Sequence, residues 1–452
     1  MDVCGARKEY GMKFYGRHDE LAELSKIRDL SRESARFTVV TGRRRVGKTE
    51  LIDKALNDGR MPYIYLLVTR RSEKDLCGIF QEEVKRAVPI NLYGAPERFG
   101  QLFESIMEYS VHVPLTLVVD EFQEFDIIDP AIFGDIQGVW DRYHKKAKIN
   151  LVVCGSVNRL MNKIFFDDSQ PLYGRNTGKL KLNPFSVGLL KTILSEHSEK
   201  YSKKDLLALW TLTGGVARYV SLFMDAKAYT RKAMLKFVYS LASPFVDEGV
   251  VMLSSEFGKE YSTYFSILSA VASGRTAFAE IKNIVGADIG GHLTKLETFY
   301  SFLSKTQPVF EKSSNKNCLY RIDDCFLRFW FRFIYKYMHL VEQRRSALLL
   351  EIVERDFDTF SGVALEQYFK VKFLEEGRYT KIGGWWDRKG ENEIDLVCEN
   401  EFSGRLDFYE IKTSAARYDR RALERKVEAF FRKHPDKEAG GHEIAGISIE
   451  DM

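Results

Sequence analysis

Several things are scarce in this sequence, and each scarcity excludes something. Only 10 prolines and 6 cysteines occur in 452 residues. The cysteines (Cys4, Cys77, Cys154, Cys318, Cys325 and Cys398) are scattered without CxxC pairs, which speaks against a disulfide framework and a zinc site and for reduced thiols. No stretch of about 18 apolar residues is present, and MDVCGARKEYGMKFYGR at the N-terminus lacks the apolar core of a signal peptide, so no membrane association is expected and a cytoplasmic location is. The most aromatic segment, Phe326 to Tyr337, is broken by Arg328, Arg332 and Lys336, which suits a buried helix. Charge of one sign is also lacking: 68 Lys+Arg against 64 Asp+Glu leave a net +4. No global pull toward nucleic acid follows, so any such site must be a local patch.

What is present is ordinary for a globular protein, with 45% hydrophobic and 29% charged residues. The length suggests about three domains. From Phe37 to Ser156, β-branched runs (FTVVTG, YIYLLV, LTLVVDE, NLVVCGS) alternate with helical stretches, the pattern of a parallel sheet wrapped by helices, with polar residues at the strand ends where α/β ligand sites form. Lys181 to about Phe257 reads as mostly helical. Three short helices, Tyr261–Ala272, Ala277–Val285 and Gly290–Leu303, followed by a hairpin around KSSNKN, match the order of a winged helix. From about Gly362 the order is helix, three strands, helix, strand. The expected fold is α/β, divided at 1–180, 181–257, 258–340 and 341–452.

Gly42-Arg43-Arg44-Arg45-Val46-Gly47-Lys48-Thr49 fits G-x-x-x-x-G-K-[ST] and lies between an apolar strand and the helix-forming run that begins at Glu50. Glycines let backbone N–H groups close round phosphates, Lys48 neutralises β/γ charge, and Thr49 offers a hydroxyl to Mg²⁺. Leu115 to Glu121 is an apolar strand ending in two carboxylates. Asp120 would hold Mg²⁺ through water and Glu121 would deprotonate the attacking water, so ATP hydrolysis is implied. Ser156, ending another strand, either senses the γ-phosphate or closes a Gly-Ser turn. Arg175 either acts as an arginine finger in a neighbouring subunit of a homo-oligomer or pairs with a local carboxylate.

Phe14-Tyr15-Gly16-Arg17…Glu20-Leu21, the two phosphate motifs, Pro171-Leu172-Tyr173-Gly174-Arg175, Gly214-Gly215 and Asp324-Cys325-Phe326-Leu327-Arg328-Phe329-Trp330 together resemble the archaeal-type AAA+ ATPases, a family also found in bacteria. The resemblance implies a P-loop AAA+ sheet with a helical lid starting at Gly214-Gly215, an adenine site bordered by Phe14 to Leu21 including Arg17, and a C-terminal nuclease-like domain. Ala217 stands where the family's lid motif usually carries proline, which bears on any sensing role for Gly215 or Arg218.

In the last block, Glu366 lies on a helix, Asp395 on a strand, and Glu410 and Lys412 two residues apart on the next, hence on one face. Carboxylates give hard oxygen ligands for a second Mg²⁺ or Mn²⁺, and a lysine can position water beside a scissile phosphate. These residues and the order of elements resemble the PD-(D/E)XK nucleases, a restriction-endonuclease-like α/β fold. Asp395 and Glu410 would be the metal carboxylates, Lys412 the lysine of E-x-K and Glu366 the upstream helix glutamate. In the winged-helix segment His292, Thr294, Lys295 and Glu297 are the polar candidates, either for DNA or for a packing module. The leading expectation is an ATP-dependent DNA-processing nuclease. A nucleotide-driven switch with a nuclease-like scaffold and a DNA-binding regulator are the alternatives.

Overall fold

Apolar on both faces, the runs at 37–40 and 115–119 can only be central strands of a covered sheet. In the computed structural model, which describes residues 11–452 except 91, 93, 157, 258–260, 287, 301 and 312–317, they are. Strands β1 (Arg36–Gly42), β2 (Tyr63–Leu67), β3 (Leu115–Asp120), β4 (Ile149–Gly155) and β5 (Gly178–Leu182) form one sheet in the order β2-β3-β4-β1-β5. All its ladders are parallel. β3 and β4 are buried at every position, and helices such as Phe99–His112 and Ala131–Tyr143 pack an apolar face against them. β5 was not foreseen, and its last two residues open the segment from Lys181 that reads as mostly helical. Its alternating burial leaves Lys179 exposed while Leu182 is buried, because it is an edge strand with one wet face. The first helix after it is Val187–His197, capped by the Ser186 hydroxyl.

The described residues fold as two units, Gly16–Pro184 in one and Phe185–Met452, together with residues 11–15, in the other. Within the second unit, Tyr15 is held by Glu196 at 2.7 Å and the Met12 N–H by Asp225 at 2.7 Å. Helices run from Val187 to Phe257 as expected, then Tyr261–Ala272 and Phe278–Val285. The third expected helix is shorter than read: it is α-helical over Gly290–Thr294, widens to a π turn over Lys295–Phe299 and does not reach Leu303. Strands β6 (Ser304–Thr306) and β7 (Leu319–Arg321) then pair antiparallel; the KSSNKN turn between them, like Cys4, lies outside the described residues. The aromatic segment is buried from Phe326 to Ile334 apart from its half-buried arginines, with Trp330 fully inaccessible, and surfaces at Tyr335. No helix among the described residues is long and apolar enough to cross a membrane, and Cys77, Cys154, Cys318, Cys325 and Cys398 are free thiols.

One helix, Ser346–Glu376, leads into the last sheet. There β8 (Lys381–Trp386), β9 (Glu393–Asn400) and β10 (Arg405–Lys412) are antiparallel neighbours, and β11 (His442–Ser448) joins β10 in parallel after the helix Arg420–Lys433. Leu423, Val427, Phe430 and Phe431 of that helix cover the sheet.

Candidate active sites

β1 delivers the chain into the glycine-rich loop at Gly42, where a Cβ would come within 2.7 Å of the Leu182 carbonyl. Gly47 sits at φ 94° just before the helix Lys48–Leu56, which starts without a side-chain cap. An uncapped helix start preceded by a glycine turn is a ready anion cradle. The Lys48 ammonium is buried and spans the loop, donating to the carbonyls of Gly42 at 2.9 Å and Arg43 at 3.1 Å. Burial lowers its proton affinity, while Cys154, Glu121 and Asp120 oppose that loss. Val46 is buried, whereas Arg44, Thr49 and Glu50 are exposed at the helix start.

Asp120, at the end of β3, is the hub. It accepts from the Thr49 hydroxyl at 2.9 Å, from the Tyr65 hydroxyl, from the Cys154 thiol at 2.7 Å and from the Glu121 N–H at 2.8 Å. Thr49 and Asp120 side by side are a donor set suited to Mg²⁺, whose chemistry is to neutralise phosphate charge. Glu121 takes a left-handed backbone at φ 54°, and its carboxylate accepts from Gln123 at 2.5 Å and Ser156 at 3.1 Å. Such a strained conformation persists only where its surroundings fix it. Tyr65, Cys154 and Gln123 went unnoticed in the sequence. Tyr65 and Cys154 lie on β2 and β4, the strands flanking β3, and that placement is the signal that would have found them. Burial, reinforced by Asp120, raises the Cys154 thiol well above the ordinary cysteine range and keeps it protonated.

In the second unit, β9 and β10 bring Asp395, Glu410 and Lys412 together. Asp395 accepts from the Ile411 N–H at 2.6 Å, and Lys412 Nζ lies 2.8 Å from Glu410 and 3.9 Å from Asp395. Lys426, from the covering helix and not foreseen, also reaches Glu410 at 2.8 Å. Burial pushes the Glu410 carboxyl up, but the two lysines outweigh it and hold it below the usual range. Asp395 goes the other way: burial raises it more than Ile411 and Lys412 lower it. Among the described residues no three His, Cys, Asp or Glu side chains gather as a metal cage. Glu366 faces Arg321 at 3.7 Å, and burial, followed by repulsion from Asp395, raises it to about 7.

A raised acid is a liability to stability at high pH. The contribution of Glu366 is fully present below its ordinary pKa of about 4.5 and is lost as pH rises through about 7. Glu366→Gln removes that loss. Because the side chain keeps 28% of its surface exposed, we expect a gain of only about 2 kcal/mol above pH 7 and little below pH 5. Urea midpoints in metal-free buffer at pH 5 and pH 8 test this; a gap between variant and parent that does not widen toward pH 8 contradicts it.

Comparison with known proteins bears on the unit that carries the first site. Residues 14–223 match a family model described as an ATPase domain predominantly from Archaea. The segment is an archaeal-type ATPase domain. Residues 330–424 match a second model, of archaeal and bacterial proteins of unknown function. The chain is 29% identical over 413 residues to an uncharacterized protein of Methanocaldococcus jannaschii, covering 88% of this chain and 87% of that one. Among solved structures it is similar to the Walker-type ATPase of Pyrococcus abyssi, with TM-score 0.52, 18% identity and coverage of 71% of this chain and 96% of that one, a likeness of fold. The ORC2 protein of Aeropyrum pernix, in ADPNP-ADP complexes, gives TM-score 0.45 at 14% identity, covering 75% and 97%.

By its family match and its glycine-rich loop, the archaeal-type ATPase domain is a P-loop domain of the AAA+ type that binds ATP. In it Arg17, itself left-handed at φ 65°, donates to the Val46 carbonyl at 3.3 Å and the Asn183 carbonyl at 2.7 Å and pairs with Glu20 at 3.1 Å, so it braces the loop from outside. Arg175 pairs with Asp141 at 3.2 Å. In the second unit, Gly214 and Gly215 are both left-handed, and a Cβ on Gly215 would meet the Phe185 carbonyl at 2.5 Å; Arg218 is exposed.

Proposed function

We propose that the protein is an ATP-driven nucleic-acid phosphodiesterase. The archaeal-type ATPase domain hydrolyses ATP with Lys48, Thr49 and Asp120 on the nucleotide and its Mg²⁺, and Glu121 as base. The site around Asp395, Glu410, Lys412 and Glu366 cuts DNA. The observation that carries this reading is the convergence of two carboxylates and a lysine at the paired ends of β9 and β10. Asp395 and Glu366 both have raised proton affinity and line one cavity, a negative pair that Arg321 and Lys412 relieve only in part and that fits Mg²⁺ or Mn²⁺. Such an ion supplies a polarised phosphoryl oxygen and an acidified water; Lys412 would orient that water. Arg175 would act in a neighbouring copy only by leaving Asp141. The segment 258–340 is proposed as a winged helix, whose exposed Thr294, Lys295 and Thr298 would contact the DNA backbone.

The test is incubation of supercoiled and linear DNA with Mg²⁺ or Mn²⁺, with and without ATP, comparing the parent with Asp395→Ala and Lys48→Ala. Cleavage should vanish in Asp395→Ala and should depend on Lys48. The pairing of Glu410 with both Lys412 and Lys426 favours a second reading, a nucleotide-driven switch on a nuclease-like scaffold. Lys48-dependent ATP hydrolysis without any DNA cleavage would select it.

A further inference from the structure

The cavity beside Asp395 and Glu366 has a volume of about 620 Å³ and is walled by Arg321, Arg328, Lys370, Lys381 and Trp386. Arg328 is its unusual member. Its Nε and Nη2 are buried without a hydrogen-bond partner, and it makes no ion pair among the described residues. Its guanidinium lies 5.4 Å over the Phe360 ring, which covers one face and leaves the donor edge unanswered. A guanidinium withdrawn from water without an acceptor is costly, and its planar fork of donors matches the oxygens of a phosphate. Arg321, close by on β7, pairs among the described residues with Glu366 at the long distance of 3.7 Å.

Size narrows the ligand. Pockets of about 300–1,000 Å³ enclose molecules on the scale of one or two nucleotides, whereas a duplex, whose major groove alone is about 12 Å wide, does not enter. We propose that this cavity receives a single nucleic-acid strand and seats one of its phosphates on Arg328 and Arg321, next to Asp395 and Glu366. The assignment rests on the phosphodiesterase reading for what happens to the strand, but not for its binding.

Fluorescence anisotropy on the full chain, in EDTA and without ATP, tests it with a labelled 12-nucleotide single strand and the blunt duplex of the same sequence. The parent should bind the single strand at least tenfold more tightly than the duplex. Arg328→Gln should weaken that binding at least tenfold and flatten the log-log salt dependence by about one. Its melting temperature should be unchanged or higher, since an unpaired charge is removed. Arg321→Gln, nearer the surface, should weaken the single strand in the same direction and carries the test if Arg328→Gln fails to fold. Equal affinity for strand and duplex, or parent-like binding by the variants, overturns the proposal. Because cleavage is not read, a parent that binds as expected yet never cuts DNA sinks the phosphodiesterase reading alone.

Discussion

Glu121→Gln should lower ATP turnover by about 10²–10⁴-fold, the range for loss of a positioned general base, while ATP affinity stays near that of the parent. The substitution keeps the shape of the side chain and leaves Lys48, Thr49 and Asp120 in their present contacts. What it removes is the carboxylate that Gln123 and Ser156 hold in place. Phosphate release and equilibrium binding of a labelled ATP analogue separate the two quantities. Turnover within tenfold of the parent would move the base elsewhere. Weakened binding would mean that Glu121 supports the loop rather than the water.

Asp407→Ala should destabilise the second unit by about 3 kcal/mol, the low end for breaking a buried charged network. Its carboxylate, 1% exposed, accepts from Arg378 at 3.0 Å, Arg405 at 2.9 Å and the Tyr379 hydroxyl at 2.7 Å. Removing it takes one of the two hydrogen bonds of the buried Tyr379 hydroxyl, leaving the Tyr409 hydroxyl at 2.7 Å, while both arginines, being half exposed, can turn to water. The shift in urea midpoint reports the loss; less than about 1 kcal/mol would show that the network is held by solvent rather than by Asp407. The contrast with Glu366 is instructive. Asp407 is a carboxylate that the fold needs, whereas Glu366 is one that the fold tolerates at a cost, and residues of the second kind mark function more often than the first.

The candidate nucleotide site was proposed from the sequence because its residues are contiguous: Gly42 to Thr49 and Asp120-Glu121 form motifs in the order in which they are written. Their supports were not. Tyr65 and Cys154 reach Asp120 from neighbouring strands, and a Cβ on Gly155 would come within 2.3 Å of the Gln123 amide oxygen, so that side chain would have to shift to admit one. No local pattern announces such convergence. β5 was missed because an edge strand with alternating lysines reads as a polar connection, and the third helix of the 258–340 segment was drawn too long because apolar spacing does not show where a helix widens into a π turn. In the last sheet the strand alternation foretold Asp395, Glu410 and Lys412. It did not foretell Lys426, which comes from a helix sixteen residues beyond its partner, or Arg328, whose neighbours in sequence are all core.

The helix Ser346–Glu376 is an unbroken rod of 31 residues, about 46 Å long. Near its start, Leu349, Val353 and Phe357 are locked into the core shared with the helices after Phe185. At mid-length the Trp210 indole donates to the Ala364 carbonyl at 2.9 Å, and at its far end Glu375 accepts from the Val187 N–H at 3.1 Å. Glu366, Gln367 and Lys370 look into the cavity from the same rod. It has the geometry of a lever: a tilt of about 5° pivoting at Leu349 would displace Glu366, about 25 Å along the rod, by about 2 Å, enough to make or break its approach to the sheet that carries Asp395. The acidity and reach of that carboxylate can be tuned from the opposite end of the beam, without changing any residue that a substrate touches.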